Sequence, residues 1–325
     1  MIVTALILLL LIGAPALSQT GEVKLNPAAQ KITSVPAGVV RGTPQTSAPE
    51  VAKLKLGTVV TAGARSTNQD SVSGKTDYWY RVSAPTGEAG WLFGGQLLDY
   101  SPARRQQLVK QIIDDGLEAD NTNFDDRQEI YELAAGSLAD AGNMTARSEF
   151  ELLKLLALAH WAATVDDSER EKSPYREWLK THGPQVIRNE FGGGYKLRTE
   201  LLWSLETKYH LLPVADRIAW EATQNFRSSD CESDEICGFL LTAAQIEYLK
   251  RHPKGAHAAE AVKNLNQALS EDVLSFAGDP SGDEEAARQR TELRKALASL
   301  RLALPKVSAP EKAELMKKIG RAKSL

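Results

Sequence analysis

Several features that mark familiar classes of protein are scarce in this sequence of 325 residues. A nucleic-acid-binding protein normally carries an excess of basic side chains. Here 39 basic side chains are outnumbered by 42 acidic ones, which gives a net charge of -3. The charge balance therefore argues against nucleic acid as a partner.

Reactive motifs are scarce as well. The five histidines form no H-E-x-x-H pair, and two cysteines without a histidine at zinc spacing do not supply four zinc ligands. The Asp-Asp doublets at 114–115, 125–126 and 166–167 lack the spacing of a calcium loop. The serine-hydrolase motif G-x-S-x-G is absent. No Gly-Lys-Ser/Thr follows the glycines at 192–194, which predict a hinge. We expect no metal, no cofactor and no motif-borne catalytic residue, and we interpret His252 and His257 as hydrogen-bonded capping side chains.

Only one long apolar run is present. It covers residues 2–12 and precedes a small-residue site at 16–18, the pattern of a secretory signal peptide over residues 1–18. The run is shorter than the roughly 20 residues of a membrane span, so we expect no stable span after cleavage. A retained signal anchor is the alternative, because no Lys or Arg precedes the run. The sequence thus predicts export to the periplasm or the extracellular side of the envelope.

Export changes the interpretation of the two cysteines, Cys231 and Cys237. Oxidising compartments favour closure of such a pair into a disulfide. Four acidic side chains in or beside the intervening loop disfavour a thiolate, which argues against a catalytic or redox cysteine. We predict a local disulfide between them.

The most informative stretch is residues 74–96. An aromatic and β-branched run at 78–82, a Pro-Thr-Gly turn at 85–87 and an apolar run at 90–93 predict a β-hairpin. Alternation along the strands assigns their side chains to two faces. One face carries Tyr80, Val82 and Leu92, and the other carries Trp79, Arg81, Trp91 and Phe93.

This segment resembles the bacterial SH3 domain, or SH3b family, whose hallmarks are a W-Y-x-V strand and a closing G-W-V strand. Upstream, residues 39–44 resemble the opening strand of the family, and residues 54–60 match its L-x-x-G-x-x-V strand. The resemblance implies a small all-β SH3-like barrel over residues 37–99. A polar insert at 66–76 departs from the family, and residues 19–36, which show no periodicity, are predicted to be a flexible leader.

An all-α helical-hairpin domain is predicted after the barrel. Ser101 is the expected N-cap and Pro102 the first helical residue, where the apolar period changes from 2 to 3.6. Helices are predicted over 101–276, a flexible linker over 277–283 and C-terminal helices over 284–325.

Two segments indicate how the helical domain is built. The most apolar helix, which we expect Thr145 to cap, should lie at its centre. Residues 248–261 are similar to the turn of tetratricopeptide-like helical hairpins in bacterial envelope proteins. Because the prolines show no fixed spacing, we predict irregularly stacked hairpins rather than a regular repeat.

Four aromatic residues of the barrel are the candidate ligand-binding set: Tyr78, Trp79, Trp91 and Phe93. If these rings lie outside the barrel, they form a stacking surface for an extended peptide or a glycan. The alternative is that the rings pack against residues 101–117 and join the domains. As a family, SH3b modules target peptidoglycan and contact envelope proteins, so the resemblance implies a cell-wall peptide or an envelope protein as partner.

The leading hypothesis is an exported, non-catalytic envelope protein whose barrel binds this partner and whose helices form a scaffold. A second hypothesis is a peptidoglycan hydrolase, or an activator of one, with its active site hidden in the helical domain. A third is purely structural: the barrel only caps the helical stack.

Overall fold

A computed structural model describes residues 21–120, 122–189, 193–225, 234–279 and 281–321. The predicted signal peptide and Cys231 lie outside the described residues. The chain divides into two compact units, of which the first ends at Pro102 and the second begins at Ala103. A β unit followed by a helical unit agrees with the predicted order of the two domains.

The β unit contains one antiparallel sheet. Its strands in the described residues are β1 (Glu22–Thr33), β2 (Gly38–Arg41), β3 (Glu50–Leu54), β4 (Val59–Val72), β5 (Lys75–Ser83), β6 (Ala89–Phe93) and β7 (Leu97–Asp99). The strand order is β3-β2-β6-β5-β4-β1-β7. Because the terminal strands β3 and β7 do not pair with each other within the described residues, the sheet is not closed into a barrel.

Strand β1 corrects the predicted flexible leader. It lies inside the sheet, antiparallel to β4 on one side and to β7 on the other. Most of its side chains are exposed, and its register shifts between Lys24 and Ala29, a stretch that contains Pro27, which has no amide hydrogen to donate. The alternation of polar and apolar residues covers only residues 22–26 before Pro27 and Ala28 break it, which is too short a signal to identify the strand in sequence. Its partners are supplied by distant parts of the chain.

The polar insert at 66–76 is an extension of the β4–β5 hairpin. Val72 pairs with Lys75 across a two-residue turn in which Ser73 and Gly74 have φ values of 50° and 79°. Two positive φ values in a two-residue connection define the type I′ geometry, whose twist matches that of the flanking strands. The insert therefore continues the sheet instead of forming a loop.

The helical unit contains twelve α-helices in its described residues. They are α1 (Arg105–Glu118), α2 (Phe124–Ser137), α3 (Met144–Ala163), α4 (Tyr175–His182), α5 (Thr199–Tyr209), α6 (Val214–Gln224), α7 (Glu235–Thr242), α8 (Ala244–Arg251), α9 (Ala258–Ala268), α10 (Glu271–Gly278), α11 (Glu284–Ala303) and α12 (Lys312–Arg321). A two-stranded hairpin, β8 (Val186–Arg188) and β9 (Tyr195–Leu197), interrupts them.

Helix boundaries depart from the predictions at several points. The side chain of Asn143, not Thr145, caps α3 by accepting from the Ala146 amide at 2.8 Å. Pro102 opens a short 3-10 turn before α1 begins. The predicted linker is shorter, because α10 continues to Gly278. Caps and breaks depend on single backbone conformations, which periodicity does not encode.

Two large apolar clusters lie among the described residues of the helical unit. One is built mainly on α3, α5 and α6, and its fully buried members include Leu152 and Leu158 of α3, as the apolar pattern predicts. The other is built around α8, α9 and α11, where the predicted stripe of Leu293, Leu297 and Leu300 has no solvent exposure.

Candidate functional site

The predicted ligand-binding rings lie on two neighbouring strands. Trp79 of β5 pairs with Phe93 of β6, and Arg81 pairs with Trp91, which gives the three rings the shared face that alternation predicts. The ring centroids of Trp79 and Phe93 are 5.5 Å apart in an edge-to-face arrangement. Trp79, Trp91 and Phe93 therefore form one packed group, the aromatic cluster.

The aromatic cluster is buried rather than exposed. Trp79, Trp91 and Phe93 keep 3%, 8% and 3% of their accessible surface. The hairpin extension contributes to this burial: Val72 packs on the rings, and the Trp79 indole N–H donates to Asp70 Oδ2 at 3.1 Å. The expected stacking surface is therefore not present at these three rings, and their role in ligand binding stays a prediction.

Tyr78 is the accessible member of the predicted set. Its ring is half-buried, and the guanidinium carbon of Arg65 lies 3.8 Å from the ring centroid. A cation over an aromatic face is attracted by the ring quadrupole. Tyr78 therefore offers a ring edge beside a fixed positive charge.

Two consecutive glycines allow the chain to turn after the aromatic cluster. A Cβ on Gly94 would lie 2.6 Å from Asp77 Cγ and 2.7 Å from a ring carbon of Tyr80, and a Cβ on Gly95 would lie 2.5 Å from Phe93. No side chain fits at such distances. The Gly-Gly pair is thus required by the packing of β5 against the turn at 94–96.

Strand β3 forms one edge of the sheet. It pairs with β2 and ends the strand order of the described residues. Val51 is 53% exposed on this strand, between the charged side chains of Glu50 and Lys53. An edge strand presents backbone donors and acceptors that an added strand can use, and natural edges are usually protected by charge or by shortness. The exposed valine makes β3 the most open strand edge for a peptide.

A charged network lies where two helical hairpins turn. Glu206 of α5 is 3% exposed, and both of its carboxylate oxygens are bonded. Arg251 Nη1 donates to Glu206 Oε2 at 2.6 Å, and His252 Nε2 lies 3.0 Å from Glu206 Oε1. Burial of a carboxylate is tolerated only with such partners. The contacts connect the end of α5 to the end of α8.

The second half of the network joins α6 to the same turn. Tyr248 donates its hydroxyl proton to Asp216 Oδ1 at 2.7 Å, and the Ala256 amide donates to Asp216 Oδ2 at 3.0 Å. Burial, reinforced by the bond to Asp216, raises the pKa of the Tyr248 hydroxyl above its usual range. Gly255 is required here, because a Cβ would collide with the oxygens of Asp216 and Tyr248. We call these residues, with Glu206, Arg251 and His252, the hairpin junction.

The two histidines of the turn are hydrogen-bonded, as predicted, although their side chains do not cap helices. The His257 ring stacks on Trp220 with centroids 4.4 Å apart and has Nδ1 3.2 Å from Glu260 Oε2. His252 faces Glu206 on one side, and its Nδ1 is 3.9 Å from Asp216. Both histidines thus contribute contacts between elements.

The hairpin junction is already satisfied internally. Each carboxylate uses both oxygens in contacts with neighbouring groups, so neither is free to act as a general base without breaking the junction. The described residues contain no group of three or more His, Cys, Asp or Glu side chains able to hold a metal ion. These contacts hold α5 and α6 to α8.

The predicted disulfide falls partly outside the described residues because Cys231 does. Cys237 lies in the first turn of α7, where its amide donates to Asp234 Oδ1 at 3.1 Å. The bond between the two cysteines stays a prediction.

Comparisons of the chain with protein-family models, with curated proteins and with solved structures find no match. Within the part of the chain that the structure describes, no helix has both the length and the apolar character needed to cross a membrane. Function is therefore inferred from the geometry of the two units.

Sequence reasoning missed Glu206 and Asp216. Glu206 stands on the same helical face as Leu202, Leu205 and Tyr209, all of which are buried. An acidic residue within an apolar stripe was a readable signal of a buried, partnered carboxylate. Asp216 gave no such signal, because its partners, Tyr248 and the Ala256 amide, lie 32 and 40 residues further along the chain.

Proposed function

We propose that the protein is an exported, non-catalytic envelope protein. In this proposal a β domain of the SH3b type binds a cell-wall peptide or an envelope protein, and the helical unit is a scaffold. The SH3-like character of the β unit is part of the proposal. Its support is the in-register pairing of the W-Y-x-V strand at 79–82 with the Gly-Trp-Leu-Phe strand at 90–93.

Edge strand β3 is the proposed place of contact. An extended peptide gains main-chain hydrogen bonds by lying alongside an open sheet edge, and alternate side chains then provide selectivity. Val51 supplies exposed apolar area, while Glu50 and Lys53 offer charges of both signs. The exposure of Val51 is the observation that carries this proposal.

The scaffold role of the helical unit rests on the hairpin junction. Three helices, α5, α6 and α8, are bonded to each other through two buried or half-buried carboxylates. Such networks hold hairpins in one relative arrangement, since separation would leave charged groups unpaired. A rigid stack is suited to presenting a surface.

The test is retention of the purified mature chain on isolated peptidoglycan. Wild type is compared with Val51→Glu and Tyr78→Ala, and Leu302→Glu is the matched control because Leu302 is 77% exposed on α11 of the helical unit. Trp91→Ala is unsuitable, since Trp91 is buried and its loss would disturb folding.

Four outcomes separate the possibilities. Retention lost in Val51→Glu and kept in Leu302→Glu supports strand addition at β3. Loss of retention only in Tyr78→Ala would show that the contact is made by the Tyr78 ring instead of by β3. Equal retention of all variants, or none by wild type, removes the wall-binding part of the proposal, and release of soluble muropeptides would support the hydrolase alternative.

A further inference from the structure

A groove in the helical unit is separate from both the sheet edge and the hairpin junction. It has a volume of about 350 Å³, within the range of roughly 300–1,000 Å³ typical of small-molecule sites. Two helices form its long walls. The lining residues that these two helices contribute are Glu151, Lys154, Leu155 and Leu158 of α3 and Leu201, Ser204, Leu205 and Lys208 of α5.

The two walls have the same spacing. Each set follows the pattern i, i+3, i+4, i+7, which places its members on one stripe of a helix. Lys208 Nζ donates to Glu151 Oε2 at 2.6 Å, so the end of the α5 stripe meets the start of the α3 stripe. This ion pair therefore joins the two walls, and Gln185 contributes to the lining elsewhere.

The floor of the groove is aliphatic. Leu158 and Leu205 are 1% and 7% exposed, whereas Leu155 and Leu201 are half-buried beside them. From Glu151 to Lys154, Leu155 and Leu158, the α3 stripe spans about 10 Å at a helical rise of ~1.5 Å per residue. An unbranched hydrocarbon chain suits a leucine floor of this length better than a ring does.

The rim is positively charged. Glu151 is its one carboxylate, and both of its oxygens are engaged, by Lys208 at 2.6 Å and by Arg147 at 3.3 Å. Lys154 forms no ion pair within the described residues and has its ammonium 5.7 Å from the centroid of Tyr131. One cationic group beside the apolar floor is thus left without an acidic partner there.

We propose that this groove binds a fatty carboxylate, with the hydrocarbon chain on the leucine floor and the carboxylate at Lys154. The positive charge of the rim favours an anionic head group, and the aliphatic floor favours a single hydrocarbon chain. This binding activity goes beyond the proposed contact of the β unit and does not depend on it.

Calorimetric titration of the full mature chain tests the proposal with two probes of equal chain length, decanoate and decyltrimethylammonium, both kept below micelle formation. Decanoate should bind about tenfold or more tightly than the cation, because reversal of the head-group charge replaces attraction by Lys154 with repulsion. Lys154→Glu should weaken decanoate binding by about tenfold. Lys263→Glu, a change at an exposed lysine of α9, should leave it unchanged.

A second variant protects the test from effects on folding. Ser204 is exposed at the groove, so Ser204→Phe should fill the opening without entering the core and should abolish binding of decanoate. The proposal is overturned if the two probes bind equally, if decanoate does not bind, or if Ser204→Phe binds decanoate as wild type does. Retention on peptidoglycan, measured in parallel, reports on the β unit independently.

Discussion

The two units bury aromatic side chains by different means. In the β unit, the aromatic cluster of β5 and β6 is packed against the extension of the β4–β5 hairpin, and one neutral donor, the Trp79 indole, bonds to Asp70. In the helical unit, Trp220 packs edge-to-face on Tyr248 of the hairpin junction, where carboxylates, a guanidinium, a phenol and an imidazole are bonded together. Apolar packing dominates the first region and charged hydrogen bonds dominate the second.

This difference sets how each region responds to change. The stabilisation from buried apolar area falls in proportion to the atoms removed and does not depend on ionisation. Buried charges fail when a single partner is lost or neutralised, because the remaining group is left without solvation. We therefore expect the aromatic cluster to be sensitive to truncation and the hairpin junction to be sensitive to charge and pH.

The largest effect is expected from Trp79→Ala. Removing a buried indole from the aromatic cluster should lower the free energy of unfolding by about 3–5 kcal/mol. Tyr78→Ala, one residue away and half-buried, should cost much less. Urea denaturation followed by region-resolved hydrogen exchange measures both, and equal losses in the two variants would contradict the burial of the cluster.

Charge loss at the hairpin junction should come next. Glu206→Gln should destabilise the helical unit by about 2–3 kcal/mol, since Arg251 and His252 lose the buried carboxylate that both contact. Glu247→Gln is the matched control. Glu247 also binds Arg251, at 2.7 Å, and its side chain is 36% exposed. The same denaturation experiment should show at most about 1 kcal/mol for that control, and similar losses in both variants would argue against the junction.

Alkaline pH should distinguish the regions further. The folded pKa of Tyr248 is raised above the ordinary value of 10.0, so its contribution is complete below pH 10 and is lost as the pH rises through the folded pKa. Above pH 10, each pH unit should cost up to about 1.4 kcal/mol. Hydrogen exchange from pH 9 to 11 should show the loss in α5, α6 and α8. Tyr248→Phe should flatten this dependence, and an unchanged slope would contradict the assignment.

The smallest expected effect concerns the cap of α3. Asn143→Ala should cost about 1 kcal/mol, because the Ala146 amide loses its side-chain acceptor. Thr145→Ala should stay within about 0.5 kcal/mol. Thermal unfolding of the two variants compares the observed cap with the predicted one. A larger loss of stability in Thr145→Ala than in Asn143→Ala would identify Thr145 as the N-cap of α3.

Local signals in the sequence predicted the elements that depend on neighbouring residues. The pairing of 78–82 with 90–93 follows from alternation around a turn, and the stripe of Leu293, Leu297 and Leu300 follows from helical periodicity. Both patterns are complete within about twenty residues, so no distant partner is needed to recognise them.

Elements defined by distant partners were not predictable. Strand β1 is held by β4 and β7, and Pro27 interrupts the short alternation of its own residues. The faces of β5 and β6 were assigned correctly, yet the burial of Trp79 depends on the insert at 66–76, whose polar composition favours a loop. Alternation along a strand predicts which face of the sheet a ring occupies. Pairing with residues distant in the sequence decides whether the ring is buried there.

Hydroxyl-radical footprinting of the full chain tests the covered aromatic cluster most directly, because mass spectrometry resolves each ring. Trp79, Trp91 and Phe93 should be modified as slowly as buried Trp161, while Tyr78 should react readily. Modification of Trp79 and Trp91 as fast as that of Tyr78 would show an open aromatic face and contradict the account.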